Sequence, residues 1–272
     1  MQKKMKLIMY IGINIYNYNI TNFNMEDCPP HLLFPDTLNY KIIERYLNRY
    51  LTPQEKNLIE NYKIEYKFNK KLEKLYDVCD IKNLYVPLLT NLDGNCLFES
   101  LVHLGIGTSV QQLRKVISFL FYIYRDYKYF IPNGESTLKE LFEVTNEIPY
   151  VKCSDGNYYS YTYETMCQDL SNMCAWSKLP TELILMVVSY VFKLEIIILN
   201  NVGTYENKIN VCKDNTRTIY LGHIQEAHYF PLDYNNDNKD FTYYNTCSNM
   251  IKKWVDEMQQ QKIKEMNDFY DV

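Results

Sequence analysis

The chain has 272 residues, 47% hydrophobic and 15% aromatic, enough to bury one sizeable core, which excludes a disordered or fibrous protein. A formal net charge of -4 excludes a strongly basic nucleic-acid surface as the main design, local runs such as Lys70-Lys71 notwithstanding. Its eight cysteines (Cys28, Cys79, Cys96, Cys153, Cys167, Cys174, Cys212 and Cys247) form no CxxC pair, and with four histidines there is no zinc-ligand spacing, so no metal or other cofactor is expected and the thiols read as free.

The first segment, MQKKMKLIMYIGINIYNYNIT, sets basic residues before a short apolar stretch, as a secretory leader would. Asn14 and Asn17 interrupt it, no small-residue cleavage site follows, and no later stretch reaches the ~20 apolar residues of a membrane span. The expectation is a cytoplasmic protein with neither membrane nor nucleic acid as partner. The count of 27 tyrosines against 8 glycines resembles an A/T-rich coding bias, as in some large DNA viruses and protozoa. A viral protein would then work in the host cytoplasm.

From about Thr37 to Tyr76 apolar residues recur at helical spacing, with Leu38, Ile42, Ile43, Tyr46, Leu47 and Tyr50 on one face, and Thr52-Pro53-Gln54-Glu55 opens a second helix. Residues 1–79 are therefore expected to form an N-terminal helical extension, read as packing in preference to a substrate-holding surface. CLFESLVHLG predicts a short helix ended by Gly105, and SVQQLRKVISFLFYIYRDY a longer one with Val110, Leu113, Val116, Ile117, Leu120 and Phe121 on one face. The tyrosine-rich stretch from Cys153 to Met166 reads as an ordinary loop or a lip touching a partner. YETMCQDLSNMCAW and TELILMVVSYVFK predict two helices, the second capped by Thr181.

Three strands are expected after them: LEIIILNN, RTIYLGH, and AHYFPLD, the last closed by Pro231. The polar run YNNDNKD then leads to an amphipathic helix marked by Ile251, Trp254, Val255 and Met258. Helices before strands predict an α+β fold, a small central β-sheet packed between helices, with residues 80–235 as the chemical domain and 236–272 as linker and helix.

Cys96 follows the turn-forming Asp93-Gly94-Asn95 and precedes an apolar helix. A thiolate there would be stabilised by the helix dipole, and the N–H groups of Gly94, Asn95 and Cys96 are candidate donors to an oxyanion. A lone cysteine before a helix is ordinarily structural. A nucleophile also needs a base. His103 lies about two turns up the same helix, out of reach, and His31 and His223 read as surface or structural residues, which leaves His228 at the start of a strand.

DGNCLFESL resembles the catalytic cysteine motif of the OTU (ovarian tumour) cysteine proteases. MCAWSKLPTEL, with Trp176 and Glu182, looks like that family's middle block, and AHYFPL like its terminal histidine block, in the same order over residues 88 to 232. The resemblance implies a papain-like OTU fold and a thiol-dependent deubiquitinase, with ubiquitin, polyubiquitin chains or ubiquitinated proteins as partners. In that reading Cys96 attacks the scissile carbonyl, His228 acts as general base, and Asp93 contributes to the site by shaping an oxyanion loop of Asp93, Gly94, Asn95 and Cys96. Trp176 is a packing residue near the histidine, and Glu182 a local orienting or capping residue.

The family often carries Asp or Asn two residues after the histidine, whereas this chain has Phe230. The third triad member must come from elsewhere or be missing; some members of the family take it from just before the cysteine motif or from an upstream segment, which here nominates Asp93 or Thr90, with Asp80 as an outsider. The middle block has Cys174-Ala175 before the tryptophan and Ser177-Lys178 after it, where glycines are usual. Two other readings stay open: an OTU-like ubiquitin-binding module of little or no activity, and a papain-like protease with other substrates.

Overall fold

The computed structural model describes residues 40–128, 134–146, 150–152, 157–176, 179–202, 206–212, 214–224, 228–234 and 249–261. Leu38, His31, Cys28, Cys153, Cys247, Ser177, Lys178 and the polar run after Tyr234 lie outside them. Two compact units divide at Lys70 and Lys71.

In the first unit, α1 (Tyr40–Leu47) and the start of α2 (Pro53–Ile81) bury Ile43, Leu51 and Ile59 together. Thr52 and Glu55 cap α2 reciprocally, Thr52 Oγ1 accepting the Glu55 N–H and Glu55 Oε2 accepting the Thr52 N–H, as the Thr-Pro-Gln-Glu signature predicts. The expected apolar face is shorter than read, because Tyr50 lies beyond α1 and is exposed.

The second unit is built on a five-stranded mixed sheet in the order β1-β7-β6-β4-β5, comprising β1 (Leu84–Tyr85), β4 (Leu194–Asn200), β5 (Glu206–Ile209), β6 (Arg217–Ile224) and β7 (His228–Tyr234). β4 and β6 run parallel, and the other neighbours are antiparallel. The apolar run LEIIILN makes β4 an inner strand with both faces covered. One face packs under α3 (Cys96–His103), α4 (Val110–Ile123), α6 (Tyr163–Ser171) and α7 (Thr181–Phe192), through Leu97, Phe98, Leu113, Ile117, Ile184 and Ile196 among others. On the other face Leu75 of α2 approaches β6 so closely that a Cβ at Gly222 would come within 2.9 Å of it. The expected α+β arrangement, a small central sheet between helices, is the one observed.

Several local expectations change. Pro231 does not close β7: it pairs with Leu221, and the strand continues to Tyr234. β1 pairs only with Asp233 and Tyr234, so the edge of β7 beside Pro231 is open and its missing N–H removes no bond to β1. Thr181 is the first helical residue of α7 and Pro180 its cap. Part of the tyrosine-rich loop is ordered structure, since β3 (Tyr158–Ser160) pairs with β2 (Tyr150–Lys152) and Tyr163 opens α6. Ahead of these, after α4, lies α5 (Leu138–Thr145), fixed by a capping box of Thr137 and Glu140. The last described helix, α8 (249–261), buries Ile251 in the main core and lays Trp254, Val255 and Met258 against it.

Candidate active site

The segment joining β1 to α3 carries the DGNC motif. Asp93 Oδ1 accepts the Asn95 N–H at 3.0 Å, an Asx turn that bends the chain into α3. Gly94 has φ +85, and a Cβ there would lie 2.5 Å from the Cys174 carbonyl oxygen, so only glycine lets the two loops approach. Asn95 is buried and ties the same loops together. Its Oδ1 accepts from the Cys174 N–H at 3.1 Å and from Arg114 Nη1 at 3.2 Å, and its Nδ2 donates to Cys174 Sγ at 3.4 Å. Cys174 takes a left-handed φ of +65, so the loop before Trp176 adopts there a conformation that favours glycine.

Cys96 is the first residue of α3 and is buried. The backbones of Leu97 and Tyr229 hydrogen-bond to its sulfur. The Tyr229 bond places the thiol beside β7, one residue from His228. The expectation of a thiolate set by the helix terminus is corrected: burial pushes the Cys96 thiol up, beyond what those hydrogen bonds offset, and the charges of Glu99 and Asp93 add to the rise.

His228 is buried at the start of β7. Its Nε2 lies 2.8 Å from Thr90 Oγ1 and 3.0 Å from the Thr90 carbonyl oxygen. A carbonyl only accepts, so Nε2 carries the proton and Nδ1 the lone pair. Thr90 Oγ1 in turn donates to the Tyr229 carbonyl at 2.6 Å, which fixes the hydroxyl as acceptor toward the ring. Burial lowers His228, opposed by the Thr90 backbone bond and by the charges of Glu99 and Asp93. At neutral pH the resting pair is therefore thiol and neutral imidazole.

Of the groups nominated to orient the histidine, the structure brings Thr90 to it. Asp93 is exposed and spends an oxygen on Asn95, and Asp80 is exposed near the end of α2. Phe230 packs its ring edge-on to His228, with centroids 4.6 Å apart. Trp176 meets Tyr229 edge-on at 6.0 Å, and Glu182 lies exposed in the first turn of α7. His223 stacks on Tyr229 at 4.3 Å and is pushed down to about 4, mainly by burial. His103 ends α3, at the opposite terminus from Cys96. The Asn95 N–H is removed from the expected oxyanion donors, because Asp93 already takes it.

Two residues escaped the sequence reading. Arg114, on α4, is fully buried and donates to the carbonyls of Gly94 (3.4 Å), Asp169 (3.3 Å) and Ala175 (2.6 Å), besides Asn95 Oδ1. Its guanidinium also lies over the Phe98 ring, 4.2 Å from the centroid. One side chain thus braces the turn before Cys96, the end of α6 and the loop before Trp176. Glu99, one turn into α3, accepts from the Asn91 N–H at 2.8 Å and from Asn91 Nδ2 at 3.1 Å. A charge on a helix face is ordinarily a solvated group, which hid Glu99, and an arginine within an amphipathic pattern gives no sign of carbonyl partners so distant in sequence.

A cleft of about 440 Å³ opens against this loop, lined by Asp93, Gly94, Asp169, Cys174, Ala175 and Trp176 among others. Among the described residues no group of three or more His, Cys, Asp or Glu could hold a metal ion, and Cys79, Cys96, Cys167, Cys174 and Cys212 are free thiols.

No family model matches the chain, and no curated protein matches it. Among solved structures it is similar to an OTU deubiquitinase from Wolbachia pipientis wMel bound to ubiquitin, with 17% identity over 56% of this chain and 97% of that one and a TM-score of 0.35. It is also similar to the OTU domain of OTUD1, with 12% identity over 60% of this chain and 95% of that one and a TM-score of 0.40. At those identities and scores the likeness identifies no functional residue, and the chemistry rests on the bonds among residues 90–99, 174 and 228–230.

Proposed function

We propose that this chain is a cysteine hydrolase of the OTU type that releases ubiquitin, or a ubiquitin-like modifier, by cutting the isopeptide bond at its C-terminus. The observation that carries the proposal is the hold on His228: Thr90 takes the Nε2 proton with two oxygens, while the Tyr229 backbone hydrogen-bonds the sulfur of Cys96. The resemblance of DGNCLFESL, MCAWSKLPTEL and AHYFPL to the three OTU blocks supplies the substrate class.

The cycle starts from the neutral pair. As Cys96 attacks the scissile carbonyl, its proton passes to His228 Nδ1, and the N–H groups of Gly94 and Cys96 face the developing oxyanion. The imidazolium keeps its Nε2–H on Thr90 and returns the other proton to the departing lysine amine, leaving an acyl-enzyme on Cys96. Water, deprotonated by His228, then frees the carboxylate and restores the thiol. Thr90 is the third member of this arrangement. It orients the ring without adding a full negative charge, so the imidazolium gains less than it would from a carboxylate.

That weaker support, with a thiol raised by burial, favours a second reading in which the fold binds ubiquitin and turns it over slowly or not at all. Hydrolysis of a fluorogenic C-terminal ubiquitin amide separates the two. The expected result is turnover that Cys96→Ala and His228→Ala each abolish; ubiquitin affinity without turnover would establish the binding module. Neither affinity nor turnover, with Cys96 still alkylated faster than the other thiols, would indicate a papain-like protease acting on other substrates.

A further inference from the structure

Residues 86–92 form neither helix nor strand, and Thr90 lies in them as a buried residue, 7% exposed, among exposed neighbours, with Leu92 at 70%. Packing of Leu88, Leu89 and Leu92 therefore does little to fix the position of Thr90. Polar bonds hold it instead. One is the Thr90 hydroxyl on the Tyr229 carbonyl, at 2.6 Å. The others fall on the next residue, where the Glu99 carboxylate takes both the backbone N–H and the side-chain Nδ2 of Asn91, at 2.8 and 3.1 Å. A carboxylate receiving two N–H bonds is among the stronger hydrogen-bonded arrangements open to a side chain.

Glu99 lies three residues after Cys96 on the same short helix. The helix that presents the nucleophile thus also grips the segment that orients the base. We propose that Glu99 is a positioning residue: it fastens Asn91 to α3 and so keeps both oxygens of Thr90 on His228 Nε2. The inference rests on the Cys96–His228 pair proposed above but not on ubiquitin as substrate. It accounts for how the site works without an acid at position 230, since the carboxylate acts one step removed, through the backbone. Besides Glu99, the titratable groups whose charge acts on His228 are Asp93 in the turn and His223 on β6, and neither bonds Asn91.

The test needs no modifier protein. From a neutral pair, Cys96 reacts with chloroacetamide only as its proton passes to a correctly oriented imidazole, so its alkylation rate, read by mass spectrometry of the Cys96 peptide, reports the hold on the ring. At pH 7, Glu99→Ala should slow it about tenfold, a common cost of a displaced catalytic geometry. Glu99→Gln, which keeps an acceptor for the Asn91 N–H, should recover most of that rate. In Thr90→Val the Glu99→Ala change should cost clearly less than in the parent, because the two act through one segment. Parental labelling in Glu99→Ala, or full additivity with Thr90→Val, would overturn the inference. Should Glu99→Ala fail to fold, Glu99→Gln with and without Thr90→Val gives the same comparison. If Cys96 of the unaltered protein reacts no faster than Cys167 or Cys212, the Cys96–His228 pair itself is refuted and the inference with it. Rapid alkylation with no action on ubiquitin would leave the inference standing and remove only the substrate.

Discussion

Replacing Thr90 by valine keeps the shape of the side chain and its β-branch while removing one oxygen that serves two partners. The lost Oγ1 accepts from His228 Nε2 at 2.8 Å and donates to the Tyr229 carbonyl at 2.6 Å. The Thr90 carbonyl, 3.0 Å from the same nitrogen, remains, so the ring keeps one acceptor and its tautomer. One neutral hydrogen bond contributes about 0.5–1.5 kcal/mol, or about two- to thirteenfold in rate. Leaving the buried Tyr229 carbonyl unpaired costs a further ~1–3 kcal/mol of stability. Thr90→Val should therefore lower kcat/KM on a fluorogenic ubiquitin amide about tenfold, mostly in kcat, and lower the melting temperature. Removing an orienting carboxylate outright from a triad costs about 10⁴-fold. Asp93→Asn, by contrast, should retain most activity, since an amide oxygen can still accept the Asn95 N–H. Full activity in Thr90→Val, or a loss in Asp93→Asn as complete as that of Cys96→Ala, would refute Thr90 as the third member.

Arg114→Met should destabilise the second unit by about 3–5 kcal/mol, because buried Asn95 Oδ1 and three partly buried carbonyls each lose a hydrogen bond from the guanidinium, and chemical denaturation of the variant measures it. Gly94→Ala forces a Cβ against the Cys174 carbonyl at 2.5 Å and strains a φ of +85, so Cys96 labelling should fall well before the core unfolds, as comparison of alkylation rate with thermal midpoint would reveal. His223, held near 4 in the folded chain against about 6.5 unfolded, binds fewer protons folded than unfolded between those values. Its contribution, up to about 3 kcal/mol, is present above pH 6.5 and is lost as pH falls toward 4. Stability curves over that range should flatten in His223→Gln.

The parts of this molecule that were legible in its sequence are those in which a short run of residues determines its own environment. The turn chemistry of Asp93-Gly94-Asn95 bends the chain whatever surrounds it, the Thr52–Glu55 box caps α2 from within one turn, and the run LEIIILN has the length and branching of an inner strand. β1 and β5 are not legible because they are only two and four residues long, β5 is mostly exposed, and neighbouring strands define them. Pro231 misled for the same reason, since the order of the sheet decides whether an absent N–H matters. For the proposed site, the motifs nominate Cys96 and His228, whereas Thr90 is one nomination among three. Its bond to His228 spans 138 residues, and no local pattern encodes such a contact. The protonation state was the least legible of all. Helix position argued for an acidic thiol, but burial against β7 pushes it the other way.

A ubiquitin bearing a C-terminal electrophile tests at once whether Cys96 is the nucleophile and whether a ubiquitin C-terminus reaches it. The expected product is a single adduct of one ubiquitin per chain on Cys96, absent in Cys96→Ser and slowed in Thr90→Val. An intact protein that forms no adduct with the probe, or forms it equally well without Cys96, would contradict the proposed function.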